Sequence, residues 1–179
     1  MPGTEGARAA RASGGEGWSR VLLGGPVPPR ARERGQGFTK VIPAYPGIKV
    51  VAPQPADFDR VKGLNVATNL LQAKPKAVGI FAENDEMALG AIQALGARAG
   101  KDVFVVGFDG TADGMAAIKA GTMHASVAQQ PEKLGRSAVE AALALIKKTK
   151  VEQTFNIPVV IETRETLFRI PMAHSRQAA

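Results

Sequence analysis

The chain of 179 residues contains no cysteine, which excludes disulfides, thiolate metal sites and cysteine nucleophiles at once. Histidine is almost as scarce, with only His124 and His174. No G-x-S-x-G elbow occurs and no nucleophile sits beside a base, so the sequence outlines no catalytic group and no enzyme is expected. Long apolar runs are missing too: stretches such as Ala141 to Ile146 are far too short to span a bilayer. The glycines of "GFDGTADG" fit neither dinucleotide nor phosphate-loop spacing, and no cofactor is expected. Glu83, Asp85 and Glu86 crowd together, but neither their spacing nor their neighbours supply a closed oxygen shell, and no metal is expected.

What is present fits a globular α/β protein. Hydrophobic residues make up 45% of the chain, enough to bury a core. The net charge of +7 is unevenly spread: residues 1–40 hold seven Arg or Lys against three Glu, giving +4 and leaving +3 for the remaining 139 residues. The globular part is therefore only mildly basic, and no nucleic-acid partner is expected. The first 30 residues contain seven Gly and four Pro, with only Val21, Leu22 and Leu23 to build a strand from. Residues 1–28 are accordingly expected to be a disordered or aberrant leader, of the Arg, Gly, Ala and Pro composition that a shifted frame in GC-rich DNA encodes. They lack the apolar stretch and cleavage site of a secretory signal.

From about Pro29 the chain alternates. Helical spacing over Arg32 to Val41 precedes a strand at Ile48 to Ala52 and a helix from Asp57 to Ala73, with Val61, Leu64, Thr68 and Leu71 on one face. A strand at Ala77 to Ala82, a helix at Asp85 to Ala97, an apolar run at Val103 to Phe108 and a short helix at Thr111 to Ala120 follow. A strand near His124 to Ala128, a helix at Glu132 to Lys148 and a strand at Val159 to Glu162 complete the series. Near-continuous apolar strands alternating with helices predict a doubly wound parallel sheet in three α/β/α layers.

In such a sheet, ligands bind where strands hand over to helices at their carboxyl ends. Three of these seams carry a hydrogen-bonding side chain: Asn84 after "AVGIFAE", Asp109 after "VFVVGF" and Gln129 after "HASVA". Planar amides and carboxylates on one sheet edge can bridge adjacent hydroxyl groups, which is the chemistry a sugar asks for. Each seam also has a simpler reading: Asn84 as a helix cap with Asp85 and Glu86 complementing the dipole, Asp109-Gly110-Thr111 as a capping turn, and Gln129 as a solvated loop residue. Phe58 and Arg34 are less decisive on their own, one resembling a core aromatic and the other a solvated helix residue.

The segments "QPADFDRVKGLNVATNLL", "FAENDEMALGAIQAL", "VVGFDGTADGMAAIKAG" and "ASVAQQPEKLG" together resemble the carboxyl-terminal half of the periplasmic ribose-binding proteins, type I members of the periplasmic binding proteins. The likeness runs from about Arg32 to Thr163. It implies a sugar-binding component of an ABC importer that closes two lobes on one monosaccharide, D-ribose in the first instance. It also implies a periplasmic or cell-envelope location, a permease as partner and, in some bacteria, a chemoreceptor. Five sugar contacts follow from the resemblance: Arg34 in "RERGQGF", Phe58 in "PADFD", Asn84, Asp109 and Gln129. The implied organisation is a second lobe over 29–130, a crossover segment and helix over 131–156 that would pack on a missing first lobe, a return strand over 157–167 and a tail over 168–179. An incomplete receptor of this kind would self-associate through the uncovered helix. The alternative is the effector lobe of a LacI-type regulator, since those proteins share the fold and the "ND-x-MALGA" seam.

Overall fold

The computed structural model describes residues 18–24, 29–45 and 47–168. Among them, six strands make one sheet: β1 (Trp18–Gly24), β2 (Ile48–Pro55), β3 (Ala77–Ala82), β4 (Phe104–Asp109), β5 (Ala125–Ala128) and β6 (Val160–Thr163), in the spatial order β2-β1-β3-β4-β5-β6. The first five run parallel; β6 turns back to lie antiparallel on β5, from Ala125 opposite Thr163 to Ala128 opposite Val160. The connecting helices are α1 (Pro29–Val41), α2 (Arg60–Ala73), α3 (Asp85–Leu95), α4 (Ala112–Ala120), α5 (Pro131–Ile146) and α6 (Arg164–Phe168). The doubly wound α/β architecture is present, with one antiparallel edge that the alternation did not predict.

The core lies on one face of the sheet. Ile80 and Ala82 of β3 and Val105 of β4 are buried against Ala67 and Leu70 of α2, Met87, Ala88, Ala91 and Leu95 of α3, and Ala117 and Ile118 of α4. Alternate strand residues point to opposite faces, so Phe81 lies on the other side of β3, where its ring stacks 5.0 Å from Phe38 of α1. That contact places α1 as the third layer.

Helix α2 buries a different face from the one its hydrophobic spacing predicts. Gly63, Ala67 and Leu70 are buried, whereas Val61 and Thr68 are exposed. The reason is close approach to α3. A Cβ on Gly90 would fall 2.2 Å from the Arg60 carbonyl oxygen, and one on Gly63 would fall 2.9 Å from Met87 Cα. Small residues let the two backbones meet, and a pattern of large apolar residues does not register them. The helix also starts later than expected, because Asp57 and Phe58 take positive φ (52° and 58°) and Asp59 caps it by accepting from the Lys62 amide at 2.8 Å.

The expected leader over 1–28 needs correction at Trp18–Gly24. This segment is β1, inside the sheet, with Val21 opposite Ile80 on β3 and Trp18 opposite Ile48 on β2. Parallel partners flank it on both sides, with register shifts near Arg20 in each pairing, so pairing outweighs the local Gly-rich composition. The remainder of that leader, 1–17 and 25–28, lies outside the described residues, as does the tail beyond Phe168. Strand β2 runs to Pro55 rather than Ala52; among the described residues it pairs with β1 alone, and an edge strand tolerates Pro53 and Pro55, which lack amide protons.

Helix α5 stands apart. None of its residues is buried, and Leu134, Val139, Leu143, Leu145 and Ile146 are exposed at 44–77%.

Candidate functional site

The strand order reverses between β1 and β3, the switch point at which open α/β sheets hold ligands beyond their strand ends. The carboxyl ends of β3, β4 and β5 lie side by side there and bring Asn84, Asp109 and Gln129 to one rim.

Asp109 is the centre of the rim. Its Oδ1 lies 3.1 Å from an Arg34 guanidinium nitrogen and accepts from Gln129 Nε2 at 2.6 Å. The second Arg34 nitrogen donates to the Glu83 carbonyl at 2.6 Å, and the guanidinium stacks 3.8 Å above the Phe108 ring. Arg34 is therefore fixed by a carboxylate, a carbonyl and an aromatic face, not a free helix residue. Burial pushes the Asp109 carboxyl above its ordinary range, against the opposing pull of Arg34 and Gln129. Among the described residues both side-chain contacts of Asp109 fall on Oδ1, which leaves Oδ2 as the remaining acceptor. The Asp109 backbone sits at φ 111°, where a side chain is strained.

Asn84 and Phe58 form the second half of the rim. Asn84 Oδ1 caps α3 by accepting from the Met87 amide at 2.9 Å, and its Nδ2 donates to the Phe58 carbonyl at 3.2 Å. The capping reading of Asn84 is thus realised, in a side chain only 7% exposed. Each amide atom keeps capacity for one further bond. Phe58 is half-buried beside the core and held at φ 58°. Thr111, not Asp109, caps α4, accepting from the Gly114 amide at 3.1 Å. A shallow depression lined by Gly35, Gln36, Thr39, Lys40 and Glu83 adjoins this rim along α1.

Two neighbours of Asn84 do more than the helix-dipole role the sequence suggests. Asp85 is fully buried and accepts from the Thr111 amide (2.7 Å), Thr111 Oγ1 (3.0 Å) and Ser126 Oγ (2.7 Å). Glu86 takes a two-pronged bond from Arg60 at 2.8 and 2.9 Å, and Arg60 also donates to Asp113 at 2.7 Å, so α2, α3 and α4 are tied together at their starts. The only sequence signals for these roles are the glycines that make room: a Cβ at Gly107 or Gly114 would fall 2.3 or 2.4 Å from an Asp85 oxygen.

A mostly parallel α/β unit with polar side chains on adjoining strand ends has the architecture in which open sheets hold ligands. The chain belongs to the periplasmic binding protein family, whose domain model matches residues 3–150. That span includes β1 and most of the expected leader. The ribose import binding protein of Haemophilus influenzae is 55% identical over 129 residues, covering 72% of this chain and 43% of the relative. The ribose import binding protein of Escherichia coli is 47% identical over 135 residues, covering 75% and 45%. An ABC transporter periplasmic solute binding protein of Actinobacillus succinogenes, solved with bound D-allose, superposes with a TM-score of 0.82 at 36% identity, covering 88% of this chain and 57% of that one. The chain spans about half the length of the curated relatives it matches. These relatives are sugar-transport binding proteins, and the LacI-type alternative gains no support from them.

Proposed function

We propose that the chain is the second lobe of a periplasmic solute-binding protein of a sugar ABC importer, and that Arg34, Phe58, Asn84, Asp109 and Gln129 contact a monosaccharide, with D-ribose the first candidate. The observation that carries this reading is Asp109: a partly desolvated carboxylate whose Oδ1 is anchored by Arg34 and Gln129 while Oδ2 remains to accept from a hydroxyl. Such a group is costly for the fold and useful to a polyol. Arg34, held in place by Phe108 and Glu83, offers donors beside it. The relatives' names point to ribose, whereas the solved relative holds allose, so pentoses and hexoses both belong in the test.

The segment 131–156 is proposed to cross towards a first lobe and lay the apolar side of α5 upon it, which accounts for a helix with no buried residue. A permease, and in some bacteria a chemoreceptor, would then read the closed two-lobe form. A single lobe presents roughly half of the sugar contacts on an open face, so binding by this chain alone is expected at millimolar levels or weaker.

Titration of the chain with D-ribose, D-allose, L-arabinose and myo-inositol, followed by NMR, tests the site. Saturable shifts centred on Arg34, Asp109 and Gln129, and their loss in Asp109→Ala, are expected. In a two-lobe receptor carrying this lobe the same substitution should cost roughly 2–4 kcal/mol of binding, the scale of a lost charged hydrogen-bond partner. Shifts that ignore Asp109 would remove it from the site.

A further inference from the structure

Asp85 is a buried carboxylate that pairs with no cation among the described residues; its recorded partners are the amide and hydroxyl of Thr111 and the hydroxyl of Ser126. Burying an ion without a counter-ion is expensive unless its hydrogen bonds are complete. Two segments are shaped around it, since Gly107 on β4 and Gly114 on α4 both give up a side chain to clear its oxygens. The α3 dipole alone does not require that arrangement, because Glu86 serves the same first turn from a half-exposed position.

The position of these bonds gives them a meaning. Ser126 Oγ donates to Asp85 and also accepts from the Gly110 amide at 3.1 Å, while Thr111 is held directly by Asp85. Both residues after Asp109 are thereby fixed by one relay, and the Gln129 amide donates to the Asp109 carbonyl at 3.1 Å. Asp109 itself is held at φ 111°, a conformation that its own side chain does not favour. We propose that Asp85, acting with Ser126, is a positioning residue for the sugar site: it clamps the loop Asp109–Thr111 and so keeps Asp109 seated between Arg34 and Gln129. This rests on the sugar-site reading above for its purpose, but not for its geometry.

Ser126→Ala in the full chain tests it, with Ser126→Cys as the conservative partner that retains an acceptor and a weak donor. Four readouts are taken by NMR and thermal denaturation: the melting midpoint, amide exchange at Gly110 and Thr111, titration of the Asp109 carboxyl, and shifts induced by D-ribose. A clamp predicts that Ser126→Ala stays folded while the two amides exchange about tenfold faster or more, as for a locally opened segment. It also predicts that the Asp109 carboxyl titrates closer to its ordinary value as the loop hydrates, and that the ribose response weakens; Ser126→Cys should fall between. A lowered melting midpoint with the two amides and the Asp109 titration unchanged would show that the network is structural only and overturn the proposal. If the wild-type chain responds to no sugar, the sugar reading fails, while the amide and carboxyl readouts still decide whether the clamp exists.

Discussion

Helices α3 and α5 both follow a strand that ends in the candidate rim, yet they are held in opposite ways. Six of the 11 residues of α3 are buried, its cap is the Asn84 side chain, and its flank meets α2 backbone to backbone. None of the 16 residues of α5 is buried, no side chain caps it, and its recorded ion pair is the exposed Glu132–Arg136 contact at 3.6 Å. Sequence periodicity describes α5 better than α3, although α3 is the one the fold depends on. Local pattern makes a helix; what it packs against decides how much the helix contributes.

The same substitution in the two helices should give opposite signs. Gly90→Ala would drive a Cβ to 2.2 Å from the Arg60 carbonyl oxygen, so α2 and α3 must separate, at about 3 kcal/mol or more. Gly135→Ala on α5 meets nothing within 4 Å and should stabilise by about 0.5–1 kcal/mol through the usual helix preference for alanine. Urea denaturation of both variants measures the pair. Equal losses would mean that α5 is packed after all.

The contrast also marks what the sequence discloses. Strand–helix alternation located the elements from β2 to β6, because each has its own apolar run. It missed β1, whose Val21-Leu22-Leu23 becomes a strand only between two partners, and the buried face of α2, which is written in Gly63 and Ala67. At the rim, the positions of Asn84, Asp109 and Gln129 followed from strand ends alone, and Arg34 and Phe58 from family resemblance. The Asp85 relay was not legible, since it joins residues 26 and 41 positions apart through one carboxylate.

A second test falls on α5 alone. If its exposed Leu134, Leu143 and Leu145 meet another copy in solution, Leu145→Lys removes apolar area worth roughly 1.5–3 kcal/mol when buried and should weaken association at least about tenfold. Sedimentation velocity across a dilution series reads this directly. A monodisperse wild-type monomer at high concentration would end the idea of self-association. A corresponding loss of melting temperature is not expected, because the side chain is 66% exposed.

At the rim, the raised Asp109 carboxyl predicts a smaller, pH-dependent effect. Below its ordinary value of 3.8 both folded and unfolded chains are protonated and no penalty exists. As pH rises through 3.8 the unfolded chain releases its proton first, so Asp109 lowers stability, and the penalty is complete above the folded value. Asp109→Asn removes that penalty, so its stability relative to wild type should improve from acid to neutral pH, by no more than about 1.4 kcal/mol per pH unit. The change should come with weaker sugar binding. A relative stability that worsens towards neutrality would show that the bonds to Arg34 and Gln129 outweigh desolvation.

The smallest effect belongs to His124, on the side of the lobe that carries no proposed contact. Its ring tilts against Phe104 at 4.2 Å and its Nδ1 accepts weakly from the Val105 amide at 3.4 Å. Burial lowers its proton affinity below the ordinary 6.5. The sign is the reverse of the usual paired histidine: the folded form favours the neutral ring, so its contribution is full above 6.5 and is lost as pH falls from there through the depressed folded value. His124→Gln keeps a hydrogen-bond acceptor without the titration, and should flatten the decline in melting temperature between neutral and mildly acid pH while leaving sugar-induced shifts at Asp109 in place. A decline of unchanged slope would assign the acid sensitivity to another group, and a change in the sugar response would extend the rim's reach through β5 to a residue that the strand-end geometry leaves out.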